Sequence, residues 1–144
     1  MLMISTRGRY ALRVMIDLAE QNTSKYVSLK EIAGRQEISE KYLESIVKNL
    51  VQSGFLEGVR GKGGGYRLLK RPEDYTVGSI LRVMEGSLAP VACLEQRAHP
   101  CERANRCKTL PMWKKFYGML NDFFDGITLA DLIESEQSGD DYMI

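Results

Sequence analysis

The sequence has no apolar run approaching the roughly 20 residues that a membrane helix needs. Its first twenty residues, MLMISTRGRYALRVMIDLAE, lack the uninterrupted apolar core and cleavage site of a signal peptide. They read instead as an amphipathic helix, which predicts a cytoplasmic protein with no membrane partner. Histidine occurs once, at His99, among the cysteines. No nucleophile–base pair and no paired carboxylates fill the roles of a catalytic site, so no enzyme activity is expected. Cysteine occurs three times, and an odd number in a cytosolic chain argues against a disulfide framework. No internal repeat is present, and 144 residues suit one compact unit with an extended arm.

What is present is unevenly distributed. Residues 1–72 carry 13 Lys and Arg against 7 Asp and Glu, a net of +6, whereas residues 73–144 carry 7 against 12, a net of −5. A basic half joined to an acidic half points to a polyanionic partner for the first half only.

Apolar periodicity places the helices. Ser5 caps a helix from Thr6 to about Glu20, with Tyr10, Ala11, Val14, Met15 and Leu18 inward. Ser28 and Glu31 form a capping box for a short helix that stops between Gly34 and Glu37. Ser39 caps Glu40 to Ser53, whose inward stripe is Leu43, Ile46, Val47 and Leu50, and Gly54 ends it. Two short helices around a tight turn match a helix-turn-helix. The residues expected to meet base edges are Ser39, Glu40, Lys41, Glu44, Ser45 and Lys48. Strand-like runs Phe55–Val59 and Tyr66–Leu69 flank Arg60-Gly61-Lys62-Gly63-Gly64-Gly65, a hairpin with a cationic, glycine-rich tip. Arg60, Lys62, Arg67, Lys70 and Arg71 would supply positive charge for phosphates or a minor groove. No helix and no Lys-Ser/Thr pair follows this tip, so a nucleotide-binding phosphate loop is not expected. A hairpin directly after a helix-turn-helix is the wing of a winged helix. The expected fold is mainly α: a winged helix-turn-helix with a small β-hairpin wing, then a long C-terminal dimerisation helix.

Beyond the wing, Thr76 caps Val77 to Glu85, and Pro111 opens a longer helix over about Met112 to Asp125. Trp113, Phe116, Tyr117, Leu120, Phe123 and Phe124 make its apolar stripe, which is expected to pack against a second subunit. Thr128 caps a short return helix, Leu129 to Glu134. The chain is thus read as a DNA-binding unit (1–86), a cysteine segment (87–109), a dimerisation unit (110–134) and an acidic tail (135–144) expected to be mobile.

The cysteines stand as Cys93-x7-Cys101-x5-Cys107. Three soft ligands in one polar loop suit an iron–sulfur cluster or zinc. With His99 they could form a Cys3His zinc site, although the gaps exceed the usual two to four residues. Left unmetallated, the thiols, activated by Arg97, Arg103 and Arg106, could act as a redox switch.

The ordered set of motifs resembles the iron–sulfur cluster regulator (IscR-type) members of the Rrf-two family of winged-helix transcription factors. The resemblance runs from about Ile4 to Ile133. It rests on STRGRYAL (5–12), Ile38-Ser39 with Tyr42-Leu43-Glu44, Val59-Arg60-Gly61 with Gly63-Gly64-Gly65-Tyr66, Val77-Gly78, the three cysteines, Trp113 and Ile127-Thr128-Leu129. It implies a homodimer on a pseudo-palindromic operator in double-stranded DNA. It also implies one 2Fe–2S cluster per chain held by Cys93, Cys101 and Cys107, and control, in the main repression, of cluster-biogenesis genes. By position, Glu44 takes the role of discriminating between site types and Arg60 that of entering the minor groove, beside Gly61 and Lys62 of the wing. One feature departs: where IscR-type relatives place a fourth ligand, histidine, this chain has Leu110, and where a nitric-oxide-sensing branch places aspartate it has Arg9. Candidates for the fourth ligand are His99, Glu102 and Glu95.

Overall fold

The computed structural model describes residues 3–21, 24–95 and 101–134, so His99 and the acidic tail lie outside the described residues. The first helix, α1 (Thr6–Gln21), starts where the Ser5 hydroxyl accepts the Gly8 N–H at 3.1 Å. Ala11, Val14, Met15 and Leu18 recur at helical spacing and are buried. Helix α2 (Leu29–Gln36) begins at Ser28, whose hydroxyl accepts the Glu31 N–H at 3.2 Å. The Glu31 carboxylate lies 3.7 Å from Arg35, one turn along the helix. An i,i+4 arginine competes for that carboxylate, so the capping box is realised in its Ser28 half. The helix stops where Glu37 turns left-handed (φ 56°) and donates its N–H to the Ala33 carbonyl, with Ile38 buried behind it. Helix α3 (Glu40–Gln52) follows, capped by Ser39.

Strands β1 (Leu56–Val59) and β2 (Gly65–Leu68) pair antiparallel, Leu56 opposite Leu68 and Val59 opposite Gly65. β1 begins one residue later than expected and β2 is shifted one residue earlier. The Phe55 N–H goes to Leu50 O at 2.9 Å and so belongs to the turn after α3. The Leu69 N–H goes to the Tyr75 hydroxyl at 3.0 Å. Val27 adds a bridge on the other side of β2, exchanging two backbone bonds with Tyr66 at 2.8 and 2.9 Å.

A 3-10 turn (Pro72–Asp74) leads to α4 (Val77–Glu85), capped by Thr76. A second 3-10 turn (Ala92–Leu94) carries Cys93. Helix α5 (Leu110–Asp125) starts two residues earlier than expected, with Pro111 in its first turn. Helix α6 (Leu129–Glu134) opens on a reciprocal box: Asp131 N–H to the Thr128 hydroxyl at 3.0 Å, Thr128 N–H to the Asp131 carboxylate at 2.9 Å.

The main core joins Met15, Ile32, Leu43, Ile46, Leu50, Leu56, Ile80 and Leu129, all fully buried. Each such side chain contributes about 1.5–3 kcal/mol of transfer free energy. Leu129 comes from α6, so the return helix completes the core of the winged helix. A smaller cluster of Val77, Leu81 and Leu88 takes Tyr117, Leu120 and Phe124 of α5 against α4.

One charged side chain among the described residues is buried. Asp17, 1% exposed, accepts from Arg35 through both oxygens (3.0 and 2.9 Å) and from the Gln36 amide at 3.0 Å. Arg13 reaches the same end of α2 through the Gln36 side chain (3.2 Å) and main-chain carbonyl. Asp17→Ala removes the acceptor shared by Arg35 and Gln36. It is expected to lower unfolding free energy by about 2 kcal/mol in urea melts, reduced from the cost of breaking a fully buried pair because Arg35 is partly hydrated. An unchanged midpoint would show that α2 docks on its apolar face alone.

Candidate functional site

Helix α3 offers one face to the core and the other to solvent. Ser39, Lys41, Glu44, Ser45 and Lys48 are all exposed. Ser39 is first a cap: its hydroxyl accepts the Tyr42 N–H at 3.1 Å, which fixes the start of the helix. Tyr42, 40% exposed, stands edge-on to Tyr10 of α1 with ring centroids 5.4 Å apart.

The wing tip stands beside this helix. Arg60, Gly61 and Lys62 are exposed at the turn between β1 and β2. Gly61 (φ 97°) and Gly63 (φ 80°) take conformations that side chains rarely adopt, which is how so short a tip closes. A groove of about 420 Å³ runs between the two elements, with Glu44, Lys48 and Gln52 on the helix side and Gly58, Val59 and Arg60 on the wing side. Residues separated by a dozen positions or more in sequence thus line one concave surface, cationic at both Lys48 and Arg60.

Two of the arginines expected to supply charge for phosphates have carboxylate neighbours. Arg67 pairs with Glu57 across the hairpin at 2.8 Å, lies over the Tyr26 ring at 4.5 Å and donates to the Ser24 carbonyl at 3.0 Å. The hydrogen bond from Arg67 holds the Glu57 carboxyl below its ordinary range. Arg71 faces Glu73 and Asp74 at 3.9 and 3.4 Å. Arg67 is thus held by a cross-strand neighbour, whereas Arg71 stays 75% exposed beside its turn carboxylates.

Other residues with positioning roles carry no sequence signal. Tyr75 is 2% exposed; its hydroxyl donates to Phe55 O at 2.8 Å and accepts from the Leu69 and Lys70 N–H groups at 3.0 Å each. It therefore ties both ends of the wing together. Arg7, in the first turn of α1, donates to the Ser45 hydroxyl at 2.8 Å. Their partners lie 5 to 38 residues away, beyond any local pattern.

The thiols sit between α4 and α5. Cys93 and Cys101 are exposed, Cys107 is half-buried, and none is in a disulfide. Cys107 lies three residues before α5. The Thr109 hydroxyl, 3.4 Å from its sulfur, holds the thiol below its ordinary range; the N–H groups of Thr109 and Leu110 and the charge of Arg103 add to the effect. Glu95 and Glu102 are exposed. Among the described residues no three His, Cys, Asp or Glu side chains gather around one point where an ion could sit. Of the aromatic stripe, Tyr117, Leu120 and Phe124 lean on α4, whereas Trp113 and Phe116 are half-buried and Phe123 is 64% exposed; Met112 and Met119 of the same helix are exposed too. No residue of α5 is fully buried. No described helix is long and apolar enough to cross a membrane.

Comparison with known proteins gives this geometry its context. Protein rrf2 of Nitratidesulfovibrio vulgaris is 39% identical over 134 residues, covering 90% of this chain and 86% of its own. The solved structure of CymR, the global cysteine regulator of Bacillus subtilis, superposes with a TM-score of 0.74 at 40% identity, over 92% of this chain and 97% of that one. The IscR of T. potens superposes at 0.72 with 36% identity, over 98% and 97%. Residues 4–135 match the Rrf2 family, described as iron-dependent transcriptional regulators. With a helix-turn-helix, a cationic wing and these relatives, the chain belongs to the Rrf2 family of winged-helix transcriptional regulators.

Proposed function

We propose that this regulator senses iron–sulfur cluster supply through a 2Fe–2S cluster held by Cys93, Cys101 and Cys107, and acts in the cytoplasm as a homodimer on a pseudo-palindromic DNA site, chiefly as a repressor of cluster-biogenesis genes. The observation that carries this reading is the position of the thiols. They lie outside both cores, on the one segment that joins the winged helix to α5, so a change there is felt on both sides. The donor set suits the group: three thiols accessible from solvent, one of them favoured as the thiolate that iron requires. Binding requires the 87–109 segment to draw the three sulfurs together, with His99, Glu95 or Glu102 as fourth ligand. A bound cluster would supply redox and ligand-exchange chemistry at the surface. The chain's own residues do the rest: Thr109 and the start of α5 lower the Cys107 thiol from its ordinary range, and Arg103 lends charge.

The second subunit is proposed to cover the outer edge of α5, with Trp113, Phe116 and Phe123 among the contacts. An amphipathic helix of 16 residues with no fully buried side chain leaves that edge without a core of its own. A second reading replaces the cluster with reversible oxidation of the thiols. The depressed Cys107 thiol favours it, as does similarity to a global cysteine regulator.

Anaerobic purification with iron and sulfide counted per chain separates the two. About two irons and two sulfides with visible absorption support the cluster; no metal after reconstitution would transfer the argument to the thiol switch. Cys101→Ala is expected to abolish the visible absorption and leave the dimer intact by light scattering, because α5 lies elsewhere; a monomeric variant would overturn the separation of sensor from scaffold. Arg60→Ala is expected to weaken duplex binding and to reduce the slope of log affinity against log salt by about one, as one phosphate contact is lost. An unchanged slope would remove the wing from the interface.

A further inference from the structure

We infer that Arg7 is a specificity-determining residue of the DNA interface, acting by fixing the Ser45 hydroxyl on α3 so that it accepts a hydrogen bond from a base amino group. The inference rests on the reading of α3 as the recognition helix and names a residue outside that helix and outside the wing.

Arg7 lies in the first turn of α1, where Nη1 donates to Ser45 Oγ at 2.8 Å and Nη2 points at Met84 Sδ at 3.9 Å. The guanidinium is therefore held between α4 and α3, and its planar fork suits two partners at once. The backbone beneath it is also held. The Glu85 carboxylate accepts from the Ser5 N–H at 2.9 Å and the Ser5 hydroxyl at 2.6 Å, while the same hydroxyl caps Gly8 at 3.1 Å. Glu85 can come this close because residue 8 is glycine: a Cβ there would lie 2.5 Å from the carboxylate oxygen. The first turn of α1 is thus clamped to the last residue of α4, and Arg7 is delivered to Ser45 from a fixed base.

A hydroxyl has one proton and two lone pairs, and when free to rotate it bonds donors and acceptors alike. Ser45 is not free. Arg7 occupies one lone pair, and the Tyr42 carbonyl, 3.4 Å away, takes the proton. One lone pair is left unused, and Ser45 is exposed on α3. In the major groove that lone pair can only accept, which selects the amino groups of adenine or cytosine over the N7, O6 and O4 acceptors of guanine and thymine. Without Arg7 the hydroxyl rotates and the discrimination is lost.

The test selects duplexes from a randomised pool with the full-length protein and with Arg7→Ala, Ser45→Ala and the double variant, each checked by thermal melting. Arg7→Met keeps the aliphatic stem between α4 and α3 and serves if Arg7→Ala does not fold. The expected result is a base-pair position at which the unmodified protein prefers an amino-bearing base by about fivefold or more, the low end of the cost of one mismatched pair. Both single variants lose that preference, and the double variant loses nothing further. The proposal is overturned if the Arg7 variants keep every base preference and lose affinity uniformly, with a salt slope lower by about one, as a phosphate contact would. It is also overturned if replacing the amino-bearing base of that pair by its desamino analogue, purine for adenine or 2-pyrimidinone for cytosine, leaves the affinity of the unmodified protein unchanged. Failure of the unmodified protein to enrich any sequence would overturn the recognition-helix reading together with it.

Discussion

The posture of the helix-turn-helix depends on one buried carboxylate. Asp17 sits near the end of α1 with no exposure to speak of, and an ionised group there is tolerable only if its oxygens are fully bonded. Arg35 and Gln36, the last two residues of α2, meet that requirement. An apolar contact between α1 and α2 could slide by a fraction of a turn at little cost, whereas a bidentate guanidinium–carboxylate pair has one geometry. Because Glu37 and Ile38 turn directly from α2 into α3, the angle at which α3 is presented inherits that geometry.

Helix α4 stands at the junction of the molecule. Its last residue holds the start of α1 through Glu85 and Ser5. Its outer side holds α5, where Arg82 bonds Asp125 at 2.8 and 3.0 Å and Asn121 at 2.7 Å. The segment that carries the thiols begins at Gly86, where α4 ends. Three regions that differ in composition, basic, thiol-bearing and aromatic, therefore converge on nine residues.

Charge in this protein is sorted by pairing and not by count. The first half is strongly cationic, yet Arg35, Arg67 and Arg71 face carboxylates within 4 Å. Lys48 and Arg60 line the groove between α3 and the wing, and Lys41 and Lys62 are exposed on the same two elements. A few cations on one concave surface create more local potential than the same number scattered over the molecule.

Much of this was legible in the chain. Helices announce themselves because apolar residues recur at 3.6-residue spacing and because Ser5, Ser28, Ser39, Thr76 and Thr128 mark their starts; the glycine-rich tip between two strand-like runs announces the wing. The α3 face, the wing cations and the three cysteines follow from the same local patterns. What tertiary structure alone decided is who meets whom across long separations. Arg67 turns to Glu57 and Tyr26 instead of outward, Tyr75 ties the wing, Leu129 of α6 enters the core of the winged helix, and Arg7 reaches Ser45. Periodicity reports which face of an element is apolar, whereas a hydrogen bond between elements depends on where two independently placed backbones finish, and that is set only when the whole core packs.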